Sequence, residues 1–412
     1  MKPAHSSLAE APAQPGSEAM SSGQPQQFYE TVTLQSLIAP ISKDEFFAKY
    51  WEKKPLIVHR KNPGYYGNLF SVQDFDDWTI RGNRGYVKTA EANSKKNLKW
   101  GGSSAAALEG ILNDMRDGHT LILDSVNSSE PKLGMMCQRL TRETWARFQT
   151  NIYLTPPGGK GFTPHWDNHD VFVLQVYGSK HWKVEKDRRL LPQKDGAMFE
   201  DREISGDIYE IHLQQGDMLY LPRGTVHAAE CGSDPSMHIT LGVYPQTWDS
   251  LLTAVVQAAI NQDDNLRLAL PLDFMKGDGA AIMRRIGNEL QKSATPEFLA
   301  QVLDAFKDRV IGESQFDITG SIISAYKTDP LTLDDTIAAR PGLIYRTQPG
   351  EETVTLKIGT RAITFPDFFA EALEYAINTP VYTVGELPAD LEDEIKIVFI
   401  ERLLQEGLVV RK

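Results

Sequence analysis

The sequence predicts a mixed α+β chain, with an antiparallel β-barrel at its centre, a helical stretch behind it and a small strand-and-helix domain at its end. Three observations carry this. Between about residues 149 and 244, short apolar runs are separated by Pro-Pro-Gly-Gly and Gly-Asp turns, which suits antiparallel strands. After Tyr244 the apolar spacing changes to the 3.6-residue period of helices. From about Pro341 onward, strand and helix signals alternate.

Residues 1–27 are rich in Ala, Ser, Pro and Gln and contain no hydrophobic run, so they read as a disordered tail and not as a signal peptide. In residues 42–51, Ser42 is an N-cap with Glu45 as capping-box partner, and Phe46, Phe47, Tyr50 and Trp51 follow at helical spacing. Residues 55–59 look like a buried strand, and 71–78 and 103–115 like short helices. Together they form a scaffold against the barrel. Strands are expected at 151–155, 171–176, 181–184, 207–213, 218–221 and 238–244. A helix follows at 248–260. Thr295 and Pro296 open another as N-cap and N1, with Phe298, Leu299, Val302, Leu303 and Phe306 in one stripe. The end carries strands at 353–358 and 362–365 joined through Gly359, helices at 367–377 and 391–405, Gly407 as a C′ residue, and a strand at 408–410.

With 412 residues, 41% of them hydrophobic, the chain can build more than one core. Its net charge of −12 argues against a generic nucleic-acid binder and favours a basic partner. The two cysteines, Cys137 and Cys231, are too few for a disulfide framework or a cysteine zinc site. No apolar segment approaches the roughly 20 residues needed to span a bilayer. A cytoplasmic protein with no membrane association is expected.

The chemistry points to His165-Trp166-Asp167 and to His227. On a strand, residues i and i+2 share a face, so His165 and Asp167 can grip one ion while Trp166 points away. His227 would come from a separate strand. Its approach is a Gly216-Asp217 turn, the apolar run 218–221 and Pro222-Arg223-Gly224. Two imidazoles and one carboxylate can occupy one face of a divalent iron, leaving three positions for a cosubstrate and dioxygen. The rival readings are a surface pair and a satisfied core histidine. Lys180 stands directly before an apolar strand, and an unpaired lysine entering a barrel needs an anionic partner.

The run from His165 through Trp-Asp-Asn-His-Asp-Val-Phe-Val-Leu-Gln-Val-Tyr-Gly-Ser-Lys180-His-Trp-Lys-Val resembles the core of the JmjC-type ribosomal oxygenases. The stretch Gly-Asp-Met-Leu-Tyr-Leu-Pro-Arg-Gly-Thr-Val-His227-Ala-Ala-Glu-Cys resembles their distal-histidine motif. The likeness is strongest over about residues 145–245. It implies a JmjC, cupin-like double-stranded β-helix, then a helical dimerisation region and a winged-helix-like domain. The corresponding division is a tail at 1–27, a catalytic domain with its scaffold at 28–245, a helical domain at 246–335 and a winged-helix-like domain at 336–412. The resemblance also implies a hydroxylase of ribosomal proteins that uses Fe(II), 2-oxoglutarate and O2. By this likeness His165, Asp167 and His227 hold the metal and Lys180 meets the distal carboxylate of 2-oxoglutarate. Asn151 and Thr240 lie near the cosubstrate, and Tyr153 and Tyr177 line the substrate pocket. No catalytic residue beyond the metal ligands is implied. His169, His181, His212 and His238 read as structural or supporting groups.

The target residue stays open. Family members that hydroxylate histidine place a serine where this chain has Gly242. Tyr177 and Gly242 together resemble the members that hydroxylate arginine, whereas residues 223–231 look closer to the histidine branch. Arginine on a basic ribosomal protein is the favoured target. From Pro341 onward seven Lys or Arg stand against twelve Asp or Glu, a net of −5, so the winged-helix-like end is not expected to bind DNA. Other classes remain: a JmjC oxygenase modifying or demethylating another peptide, or a cupin-like metal-binding module without 2-oxoglutarate chemistry.

Overall fold

The computed structural model describes residues 28–80, 87–90, 98–100, 105–187, 191–192, 203–276, 278–314, 329–340, 342–388 and 390–412. The expected tail at 1–27 lies outside them, as do residues 103 and 104 of the expected 103–115 helix. The chain divides into two compact units, residues 1–244 and 245–412. Among the described residues, no helix is long and apolar enough to cross a membrane.

The first unit opens with short helices. Ser42 caps Lys43–Lys49, its hydroxyl accepting from the Glu45 N–H at 3.2 Å, while the Glu45 carboxylate pairs with Lys49 at 3.0 Å. Helices Val72–Ile80 and Ala105–Arg116 follow. The helix Pro131–Thr144 is an addition to the sequence expectation, with Leu133, Met136, Cys137 and Leu140 buried on one side.

Ten strands form one connected sheet: β1 Leu56–Val58, β2 Val87–Ala90, β3 Leu98–Trp100, β4 Thr120–Leu123, β5 Arg147–Thr155, β6 Asp170–Glu185, β7 Ile208–Gln214, β8 Met218–Leu221, β9 His227–Glu230 and β10 Ser236–Tyr244. The main order is β1-β8-β6-β10-β5-β4-β2-β3, with β7 and β9 also on β6.

The centre of this arrangement is β6. Two strands were expected at 171–176 and 181–184, but the chain runs through as one 16-residue strand. Its first half pairs with β8 and β10, its second with β7 and β9. The join is a bulge: His238 faces Gln175 while Met237 faces Tyr177, leaving Val176 as the extra residue. Gly178 follows at φ +61°, and a Cβ there would stand 2.0 Å from the Pro235 carbonyl oxygen. Only glycine fits.

Alternation along the strands separates two apolar clusters. Phe172, Leu174, Ile239, Leu241, Met218 and Tyr220 pack with the N-terminal helices. Val171, Val173, Trp182, Val184, Leu219 and Leu221 pack on the other side. Burial on both faces explains the unbroken apolar run after Asp170.

The second unit begins with helices Trp248–Gln262, Gly279–Ser293 and Pro296–Gly312. The Thr295 hydroxyl accepts from the Phe298 N–H at 3.2 Å, and Pro296 occupies N1. Phe298, Val302 and Phe306 are buried, but Leu299 and Leu303 are exposed. The expected stripe therefore splits. Beyond the helices, two three-stranded antiparallel sheets share one core with helices Ala370–Asn378 and Asp393–Gln405. The strands at Thr336–Ala339, Tyr345–Pro349 and Val381–Thr383 add to those expected from sequence.

Candidate metal centre and its pocket

The two motifs meet through their backbones. The His165 N–H donates to the His227 carbonyl at 3.1 Å and the His227 N–H returns the bond at 2.8 Å. The Gly224 N–H donates to the Asp167 carbonyl at 2.9 Å. His165 to Asp167 was expected on a strand; it is instead a segment outside the strands with a single bridge, just before β6. The alternation survives without a ladder: Trp166 is buried, and His165 and Asp167 turn the other way, into the pocket.

Ligand atoms of His165, Asp167 and His227 all lie within 4.8 Å of one another. The two imidazole centroids are 4.5 Å apart, and His227 Nε2 is 3.7 Å from an Asp167 oxygen. Each histidine commits Nδ1 to a backbone carbonyl two residues upstream, His165 to Thr163 at 2.9 Å and His227 to Thr225 at 3.0 Å. That leaves both Nε2 atoms free to ligate, with tautomer and ring orientation already set. Burial, and then the neighbouring His165, pull the His227 pKa down to about 4, so its imidazole is neutral at pH 7. Burial pushes the Asp167 carboxyl up, but His169, His227 and His165 outweigh this and hold it below its usual value. An ionised carboxylate beside two imidazoles suits a divalent transition metal.

A buried network that the sequence reading missed secures this geometry. Asp170, fully buried, accepts from the Tyr220 hydroxyl at 2.8 Å and from the Arg223 guanidinium at 3.1 Å. Arg223 also pairs with Glu52, whose N–H donates to Tyr220 at 2.9 Å. Burial pushes the Asp170 carboxyl up, although Tyr220 and Arg223 oppose the shift. This ties the residue three beyond Asp167 to the turn that aims His227.

One pocket contains the three clustered residues together with Tyr153, Lys180 and Thr240. Lys180 arrives there through the bulge. Val171 and Val173 line the pocket at odd positions and Lys180 and Trp182 at even ones, and the extra residue Val176 makes that change. Lys180 is 1% exposed and donates to Thr155 Oγ1 at 2.8 Å. Thr155 in turn contacts the Thr120 hydroxyl at 2.9 Å. Burial draws the Lys180 pKa down to about 8. Among the described residues, no carboxylate forms an ion pair with it. A buried ammonium of this kind calls for an anion.

Two expected site residues are not among those that line this pocket. Asn151 is opposite Thr240 on β5, one step behind the lining: its side-chain oxygen accepts from the Ser125 N–H at 2.9 Å, and its side chain hydrogen-bonds Tyr153, which does line the pocket. Tyr177 was expected to line the substrate pocket and does not. The bulge pairs it with Met237, which packs in the cluster against the N-terminal helices, and its ring is exposed. Conversely, Phe162, Trp182 and His238 do line the pocket. A period of two from Lys180 and from Thr240 would have found the last two. His169 covers Gly242, where a Cβ would meet its ring at 3.2 Å, and His181 and His212 stack on each other 4.2 Å apart at exposed positions.

A mixed helix and sheet unit thus carries a two-histidine, one-carboxylate cluster suited to a divalent metal beside its ten-stranded sheet. Residues 128–251 match the JmjC domain model. It is 35% identical over 257 residues to ribosomal oxygenase 1 of Gallus gallus, covering 60% of this chain and 43% of that protein. It is 29% identical over 346 residues to the bifunctional lysine-specific demethylase and histidyl-hydroxylase NO66 of Aedes aegypti, covering 78% of this chain and 54% of that one. The chain thus spans about half the length of these curated relatives. Its fold is similar to that of E. coli ycfD, with a TM-score of 0.58 at 16% identity over 90% of this chain and 98% of that chain. A structure of YcfD, a ribosomal oxygenase from E. coli, in complex with cobalt and 2-oxoglutarate gives a TM-score of 0.54 at 16% identity over 90% and 99%.

Proposed function

We propose that this chain is an Fe(II)- and 2-oxoglutarate-dependent oxygenase that hydroxylates a protein side chain, with arginine on a basic ribosomal protein favoured over histidine. One observation carries the reading: a single pocket joins the His165–Asp167–His227 cluster to a buried lysine that has no carboxylate partner among the described residues. In this reading the three ligands hold iron on one face, and Lys180 meets the distal carboxylate of 2-oxoglutarate. Tyr153 and Thr240 wall the cavity. When bound, iron, O2 and 2-oxoglutarate supply the oxidising chemistry. The chain supplies orientation and exclusion of water, and no acid–base residue is assigned. Asn151 supports Tyr153 by a side-chain hydrogen bond, and Tyr177 receives no contact role. The relatives and the solved structure support the class through their names, ribosomal oxygenase among them.

The preference for arginine now rests on Gly242, which offers no side-chain hydroxyl to orient an imidazole. The relative named a histidyl-hydroxylase and lysine-specific demethylase keeps histidine and methyl-lysine as alternative targets. Matched basic peptides carrying arginine, histidine or methylated lysine, offered with Fe(II), 2-oxoglutarate and O2, test this. Succinate release with a one-oxygen mass gain on the arginine peptide is expected. Oxidation of the histidine peptide alone overturns the arginine choice but keeps the class, and 2-oxoglutarate turnover with none of them moves the search to other substrates.

The helical region at 246–335 is read as a dimerisation domain and 336–412 as a winged-helix-like domain for protein contact, with the chain working in the cytoplasm as a homodimer. Trp248, Leu252, Leu272, Met275 and Met283 all expose more than half of their surface in the single chain, apolar area that a second copy would cover. Sedimentation giving a monomer at micromolar concentration would remove the dimer from this reading.

A further inference from the structure

Trp182 and His238 line the pocket, and Trp182 Nε1 and His238 Nδ1 are buried with no hydrogen-bond partner among the described residues. Trp182 is 5% exposed and His238 3%. Buried polar groups in folded proteins are nearly always paired, so two orphans in one cavity mark where a ligand's acceptors belong. Their placement follows from strand register. Trp182 is two residues after Lys180 on β6 and shares its face, and His238 is two before Thr240 on β10. The His238 ring stacks on Tyr153 at 4.9 Å with an interplanar angle of 2°, and meets Trp182 edge-on at 5.4 Å. Both rings are therefore held before any ligand arrives. Burial, and then the nearby Lys180 charge, keep the His238 imidazole neutral. A neutral ring has one N–H to donate, and with that proton on Nδ1 the ring can donate to an acceptor in the cavity.

We propose that Trp182 Nε1–H and His238 Nδ1–H join Lys180 in a three-donor seat for the distal carboxylate of 2-oxoglutarate. This rests on the functional reading above. A carboxylate has about four lone-pair sites, enough for all three donors, and Thr155 holds the ammonium in place from behind.

The test is calorimetric titration of the full chain loaded with Mn(II), so that nothing turns over, with two probes. One is 2-oxoglutarate; the other is 2-oxobutyrate, which keeps the 2-oxo acid and lacks the distal carboxylate. Trp182→Phe and His238→Phe preserve an aromatic ring and delete the nitrogen, and a ligand-free thermal melt verifies each fold. Each variant is expected to lose about tenfold or more in affinity for 2-oxoglutarate, the size of a hydrogen bond to a charged group, with 2-oxobutyrate binding unchanged. Unchanged 2-oxoglutarate affinity in both variants overturns the seat, as does an equal loss for both probes, which would mean the rings only shape the cavity. Wild-type protein that binds neither 2-oxo acid refutes the 2-oxoglutarate reading itself.

Discussion

Replacing Lys180 with methionine is expected to stabilise the ligand-free protein while abolishing its response to 2-oxoglutarate. The side chain is 1% exposed, and burial lowers its pKa from 10.5 to about 8. A gap of that size corresponds to about 3 kcal/mol of disfavour for the charged form. Methionine fills a similar volume without a charge, and Thr155 keeps its contact with Thr120 after the exchange. The ligand-free variant should therefore be more stable at pH 7 by about 1–3 kcal/mol, allowing for the lost Thr155 bond. The pH dependence has a definite sign. Below about pH 8 the lysine is protonated in both states and the full penalty is present. Between about 8 and 10.5 the unfolded chain holds a proton that the folded chain has released, so this contribution to stability rises with pH. The advantage of the variant should shrink across the same window. Adding 2-oxoglutarate with metal at pH 7 should raise the wild-type transition and leave the variant unmoved. Urea melts at pH 7 and 9.5, with and without 2-oxoglutarate, measure all of this. A ligand-free variant less stable than wild type, or equal stabilisation of both by 2-oxoglutarate, would refute the argument.

Asp167→Ala and His227→Ala should lose Fe(II) binding in equilibrium titration while keeping wild-type circular dichroism, because the ligands line a pocket; tight iron binding in either would break the assignment. Asp170→Asn leaves Arg223 buried with one charged partner fewer, and is expected to cost about 3–5 kcal/mol in urea denaturation. A loss under about 1 kcal/mol would show that the network does not secure the motif junction. Gly178→Ala puts a Cβ 2.0 Å from the Pro235 carbonyl at φ +61°, so destabilisation well above about 1 kcal/mol is expected, together with weaker 2-oxoglutarate binding as Lys180 shifts. A fully stable variant would mean that the bulge relaxes freely.

The sequence was most legible where the signal is local. The Ser42 and Thr295 caps, the strand Met218–Leu221 and the positive-φ Gly407 depend on residues a few positions apart. The same is true of the two motifs: His165 and Asp167 turn into one pocket while Trp166 turns away, as a period of two requires. The helix Pro131–Thr144 went unread because its lysine, glutamine and arginines break up the apolar pattern, although Leu133, Met136, Cys137 and Leu140 were there to be counted.

What local pattern could not supply was register. Nothing near Tyr177 announces that Val176 is an extra residue, because a bulge is defined by the partner strand. That one residue turns Lys180 and Trp182 inward and pairs Tyr177 with Met237 outside the pocket. Likewise, the partners of Asp170 are Tyr220 and Arg223, which come close only once β8 lies beside β6. The sequence by itself determined the donor types and their spacing, because both are properties of short stretches of chain. Only the tertiary structure decided which donors share a cavity and which are left there without partners, because those facts depend on how distant strands pair.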